Sequence, residues 1–223
     1  MSKIKMVELD DARGATKDLY DASTAMIGRV PHSVRVLGNI PMVSKFFLLF
    51  SAVMQREGAG SYLSSKIKEI VIIKTSQVNG CDYWLAHNTA LGQAAGITEE
   101  QVSSIVSDEY MDSSILSDRE KAAVLWAEHV TKNTARSRDD VFEVVKKSFS
   151  DNEIVELTLM CGTFNLWNRF MDSLGIQVED QSEVDKIKKS VYLSPDKVKA
   201  FLETMLENWP AEFPVPDSSA PRE

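Results

Sequence analysis

Apolar residues recur along almost the whole chain at intervals of three and four, the spacing of one helix face. Residues about 12 to 27 carry Leu19, Ala22 and Met26 on such a stripe, and Gly28 supplies a stop. Pro31 opens a short second helix with His32, Val34, Val36 and Leu37, and Asn39-Ile40-Pro41 breaks it. PMVSKFFLLFSAVMQ reads as a third helix. Its Phe46, Phe47, Leu49, Phe50 and Val53 cover more than one face, which predicts a central place or a subunit contact. Tyr62 to Val78 and Cys81 to Ala95 form a helix pair divided by Asn79-Gly80 and closed by Gly96.

The second half continues the pattern. Thr98 to Gln101 resembles a capping box for a short helix to Val106, and Ser107 to Ser114 is polar loop. Ser117 to Glu120 caps a helix with a predicted buried stripe of Ala122, Leu125, Trp126 and Val130. Asp139 to Phe149 is a short helix, and Ser150 caps a long one that Gly175 ends. No segment alternates long enough to make a dependable strand, so the fold class read from the pattern is all-α. From Gln177 the character changes: a polar stretch to Lys189, a helix from Ser194-Pro195 to Leu206, then the proline-rich NWPAEFPVPDSSAPRE. The division expected is a helical domain over 1–178 and an extension over 179–223 whose arm packs on a neighbouring subunit.

Composition narrows the function. The 223 residues are 26% charged and 43% hydrophobic, ordinary for a globular chain able to bury a core. A net charge of −8 without a basic stripe argues against nucleic-acid binding, though not against a small anionic substrate. No apolar run has membrane-spanning length, and MSKIKMVELDD lacks a signal core, so a cytoplasmic location is expected, with no membrane partner. Two cysteines far apart fit a reducing compartment. No HxxxH or CxxC spacing supports a metal site, and no cofactor is called for.

Chemistry concentrates in EIVIIKTSQVNGCDYWLAH, which puts Glu69, Cys81 and His87 within nineteen residues of a chain with two cysteines and three histidines. Cys81 at a helix start feels the positive end of the macrodipole, which favours thiolate; otherwise it is a small buried hydrophobe. Glu69 is a solvated acid paired with Lys66 or Lys68, or an inward one whose burial raises its pKa and suits it to proton transfer. His87 is a shifted relay residue or a bond to a neighbouring helix. His32 sits in a turn beside the motif as a further acid or base, and His129 reads as structural. Tyr83 and Trp84 read as pocket walls or core. Asn165 and Asn168 suit helix-to-helix hydrogen bonds, and Cys161 packs in the core, its distance from Cys81 open. Arg169 and Arg35 are the arginines considered for a substrate carboxylate.

Glu69, then Asn79-Gly80-Cys81 with a tyrosine and an Ala-His pair, resembles the core of the carboxymuconolactone decarboxylase and alkylhydroperoxidase D-like (AhpD-like) family. Glu153 to Ile176 resembles the family's closing helix and Val30 to Ser33 its early turn, so the likeness runs from about residue 15 to 178. It implies a bundle of orthogonally packed helices, assembled as a homo-oligomer (trimer, hexamer or dimer), and a small-molecule substrate. Asn165, Asn168 and Arg169 match its asparagine–arginine pattern. The peroxidase branch carries CxxC with a histidine seven residues after the first cysteine. Here Trp84 holds the second cysteine position, Asn88 the seventh, and His87 comes one residue early. A six-residue step on a helix points about 120° away from the starting residue, so Asn88 is expected over Cys81 and His87 off to the side.

The reading that follows is a decarboxylase, isomerase or lyase-type enzyme. It acts on a small carboxylated or conjugated metabolite by acid–base or single-cysteine chemistry, with Cys81, Glu69, His87 and His32 catalytic and Tyr83, Trp84, Asn88 and Arg169 binding substrate. One alternative is a peroxidase in which Cys81 needs an external resolving thiol; another is a non-catalytic helical assembly protein.

Overall fold

The computed structural model describes residues 2–184, 186 and 191–213. Eleven helices follow one another: α1 Gly14–Ile27, α2 His32–Leu37, α3 Pro41–Gln55, α4 Ser65–Asn79, α5 Asp82–Ala94, α6 Glu99–Val106, α7 Asp118–Thr131, α8 Asp139–Ser148, α9 Asp151–Leu174, the single turn α10 Gln181–Val184, and α11 Pro195–Glu207. Local chemistry sets most of their ends. Reciprocal capping boxes open α6 (Thr98 with Gln101), α7 (Ser117 with Glu120) and α9 (Ser150 with Glu153). Gly80 ends α4 in the left-handed region at φ 68°, which an L side chain adopts only under strain, and Cys81 N–H closes back onto Ser76 O.

The packing centres on α4. Ser65 and every residue from Ile67 to Ser76 are buried on it, and α5, α6, α7 and α9 surround it. Gly92 lets α5 approach, since a Cβ there would meet Ile97 Cδ1 at 2.9 Å and Ile73 Cδ1 at 3.2 Å. A second, smaller core joins α1 and α3 to α11 through Leu19, Tyr20, Leu48, Phe201 and Met205. The extension therefore packs its helix on its own chain. Its two-residue strand β2 (Tyr192–Leu193) also pairs in parallel with β1 (Glu57–Gly58). From Pro214 onward the proline-rich arm lies outside the described residues.

Two expected faces differ. On α7 the buried set is Ala122, Ala123, Val124, Trp126 and Ala127, while Leu125 and Val130 are half-buried, because α7 lies between α4, α8 and α9 and uses its small residues for close approach. On α3 it is Leu48 and Ala52 that face inward, leaving Phe46 and Phe50 exposed.

Charges buried on α4 are matched. Lys68, with no exposed surface, donates to the Met54 and Arg56 carbonyls and pairs with Glu156 Oε1 at 2.8 Å. Burial pulls its pKa down while Glu156 opposes that. Removing one partner of such a pair strands the other. Lys68→Ala should therefore lower unfolding stability by about 3 kcal/mol or more, read from denaturant midpoints at constant slope.

Candidate functional site

Where the two cores meet, α2, α3, α5 and α9 enclose a cavity of about 60 Å³. One wall is aromatic: Trp84 meets Phe164 edge-on at 5.2 Å and tilts against Trp167 at 5.2 Å. Trp167 is held by Phe47 at 4.6 Å and by its indole N–H donating to Ser51 Oγ. The rest is polar, with Arg29, Gln55, Arg56, Tyr83, His87 and Asn88 on the lining.

A chain of fixed amides crosses one side. Arg56 donates to Gln55 Oε1; Gln55 Nε2 donates to Asn88 Oδ1 at 2.7 Å and to Glu69 Oε1 at 3.3 Å; Asn88 Nδ2 donates to Trp84 O. Glu69 lies behind Gln55, completely buried. Burial pushes its pKa up to about 8 although Arg56, Gln55 and Lys68 all oppose the rise. It pairs with neither expected lysine: Lys66 goes to Glu120 and Lys68 to Glu156.

A second cluster occupies the other side. His87 places Nδ1 2.7 Å from Tyr83 O and Nε2 2.7 Å from Glu179 Oε2, the latter a charge contact rather than an aligned hydrogen bond. Both ring nitrogens thus face oxygen atoms. Tyr83 OH donates to Glu179 Oε1 at 3.0 Å, and the His32 backbone N–H donates to the same oxygen. Burial alone would raise the Glu179 pKa, but His87 and the backbone N–H groups of His32 and Glu179 hold it at about 2.

Cys81 stands apart from the lining. It is the N-cap of α5 rather than a first-turn residue, and burial pushes its thiol up to about 12. The Trp84 and Tyr83 N–H groups pull the other way, yet the thiol also bonds the Asp172 carboxylate, which favours the protonated form. The expected thiolate is therefore corrected to a thiol, because desolvation and Asp172 outweigh the helix dipole. Cys161 packs against Thr75, and the α9 residues beside the two cysteines, Cys161 and Asp172, are about 16 Å apart along the axis.

Arg169 is exposed on α9 and donates to Asn165, off the cavity, and Arg35 goes to Glu8 and Val30 O; the cavity arginines are Arg29 and Arg56. Half-buried His32 turns Nδ1 to Gln177 O, so its contribution is its backbone N–H. Asn79 bonds both Asn165 and Asn168, tying α4 to α9. His129 bonds Thr134. Sequence reasoning passed over Arg29, Arg56, Gln55 and Glu179. None lies in a motif; only the position of Gln55-Arg56 at the end of the apolar third helix hinted at a buried polar pair.

Residues 44–129, from α3 through α7, match the family model described as the carboxymuconolactone decarboxylase family. Over that stretch the chain resembles this family. Among relatives, the uncharacterised protein YdfG of Bacillus subtilis is 26% identical over 123 residues, 55% of this chain and 82% of its own. A peroxidase-related protein from Ralstonia eutropha, described as an alkylhydroperoxidase AhpD core, superposes with a TM-score of 0.68 at 19% identity, covering 84% of this chain and 96% of that one. The debrominase Bmp8, as a cysteine-to-alanine variant in complex with 2,3,4-tribromopyrrole, superposes at 0.66 with 16% identity over 91% and 98%. These two likenesses establish the shared all-α fold. No helix among the described residues is long and apolar enough to cross a membrane.

The raised pKa of Glu69 has a measurable consequence. The folded state keeps the proton that the unfolded chain releases near pH 4.5, so stability declines as pH rises from about 4.5 to about 8 and levels off above. Glu69→Gln imitates the protonated acid. Its stability should gain on the parent through that window, up to the order of 5 kcal/mol, and match it at pH 4. Denaturant melts at four or five pH values decide this.

Proposed function

We propose that the protein is an acid–base enzyme of the decarboxylase or isomerase type acting on a small, planar, conjugated carboxylate. The observation that carries the reading is Glu69: a buried carboxyl that keeps its proton at neutral pH, one side chain away from an aromatic cavity that also holds two arginines. The tribromopyrrole complex of the debrominase supports a small flat ring as the kind of ligand this fold takes. Trp84, Trp167 and Phe164 give the flat body its walls, and Arg29 and Arg56 give the cavity a positive field for an anion.

In the decarboxylation form, the bond to the substrate carboxylate breaks and its electron pair enters the conjugated system. Carbon dioxide leaves, and Glu69 supplies a proton to the carbon through a water beside Gln55; the cavity has room for one. Solvent then reprotonates Glu69. In the isomerisation form the same acid adds a proton at one carbon and recovers one from another. Asn88 stands where the peroxidase branch has its relay histidine. An amide neither gives up nor takes on a proton near neutral pH, so Asn88 cannot relay one from Glu69 to a thiol. The buried thiol of Cys81 and the tryptophan at the resolving position both weigh against peroxidase turnover.

Turnover of unsaturated γ-lactone acids and related conjugated acids tests this. Glu69→Gln should lower kcat by about 10² or more, and kcat/KM should fall above pH 8 as the acid is lost. Cys81→Ser should stay within a few-fold of the parent. A dead Cys81→Ser beside an active Glu69→Gln would transfer the chemistry to the single-cysteine route.

We also propose the homo-oligomer that the apolar third helix suggested. Val43, Phe46 and Phe50 on α3 and Val155, Leu159 and Leu166 on α9 are all exposed, and α3 packs on α9. Light scattering at tens of micromolar should give a multiple of 24.9 kDa; a monomer mass would remove the proposal.

A further inference from the structure

The acid groups of the second cluster do not point into the cavity. Tyr83 OH, His87 Nε2 and the His32 N–H converge on one object, the carboxylate of Glu179, which the chain brings back after α9. Tyr83 and His87 are each 3% exposed and both line the cavity, while Glu179 approaches them from the side of the returning segment. That segment is tied down mainly by polar contacts: His32 Nδ1 to Gln177 O, Arg29 to Glu183 O, and Glu179 itself. Its apolar anchors lie at its two ends, Ile176 in the main core and Val184 beside Ala90 and Leu91.

We infer that these donors form a carboxylate seat now filled by the chain's own Glu179, and that a small monocarboxylate binds by taking its place. The set suits one carboxylate: a phenol and a backbone N–H on one oxygen, and the His87 ring nitrogen 2.7 Å from the other. Arg29 stands close enough to Tyr83 to act on its charge, so the seat keeps a cation beside it when the segment lifts. A ligand carboxylate in the seat meets Tyr83 and His87, the two residues that the seat shares with the cavity lining. The inference deepens the proposed function and rests on it for the identity of the ligand as substrate; the seat itself is measured by binding, without turnover.

The probes are benzoate and sorbate against benzamide and sorbic alcohol, titrated into the full chain with Trp84 and Trp167 fluorescence and calorimetry as readouts. Glu179→Ala should bind the acids at least roughly tenfold more tightly than the parent, because the competitor is gone, and should ignore the amide and alcohol. Adding His87→Gln should cancel that gain. Acetate and benzoate should also raise the melting temperature of Glu179→Ala saturably, a readout that survives destabilisation, and raise that of the parent far less. Glu179→Gln, which keeps the shape but loses the charge, should fall between the two. Equal acid affinity in parent, Glu179→Ala and Glu179→Gln, or no thermal rescue, overturns the seat. Tight acid binding with a fully active Glu69→Gln instead overturns the acid–base reading and leaves the seat standing.

Discussion

Between Ile67 and Ser76 the α4 helix has no side that faces water, so each charged group on it must be matched by a neighbour or stay neutral. Lys68 is matched by Glu156 and two carbonyls. Lys74 is matched by Ser107 O and the ring of Tyr110, 4.7 Å from its ammonium, with Glu128 beyond. Glu69 receives one long amide hydrogen bond and the field of Arg56, and these do not offset its burial. The unequal matching sets the three groups apart: two lysines hold the fold while the carboxyl between them holds a proton.

The one-residue displacement of the histidine then acquires a physical meaning. Neighbouring positions on a helix differ by about 100°, so His87 and Asn88 serve different walls. Asn88 turns toward α3 and α4 and joins the amide chain at Gln55. His87 turns toward the segment after α9 and finds Glu179. The displacement moves the histidine of α5 off the Glu69 side and onto the side where the chain returns. Two networks result, one that holds a proton and one that holds an anion, and Trp84 between them fills the volume a thiol would have left.

Helix ends were legible because they depend on residues next to one another: Thr98 with Gln101, Ser117 with Glu120, Ser150 with Glu153, and glycines 80, 96 and 175 at the stops. The inward turn of Glu69 was half legible: its place between Ile67 and Ile70-Val71 allowed it, but a solvated acid paired with Lys66 or Lys68 fitted the sequence as well. The state of Cys81 was not. A helix start argues for thiolate, but burial reverses the argument, helped by Asp172, which lies ninety-one residues downstream. Glu179 was hidden for the same reason. It sits in a run of acidic and polar residues, and only the path of the chain distinguishes it from Glu183, whose carboxylate pairs with Lys186 instead.

That path also bears on selectivity. A carboxylate tethered through a few residues on either side competes at an effective concentration in the millimolar range, whatever its intrinsic affinity. A bare acid offering the same two oxygens exchanges like for like at Tyr83 and His87 and gains little at ordinary concentration. An acid whose flat body also enters the aromatic cavity adds the burial of that body, about 25 cal/mol for each Å² removed from water, and the exchange tips in its favour. The chain's own glutamate thus acts as a threshold. In the proposed exchange it disfavours bare small carboxylates relative to acids that also bury an apolar body on binding.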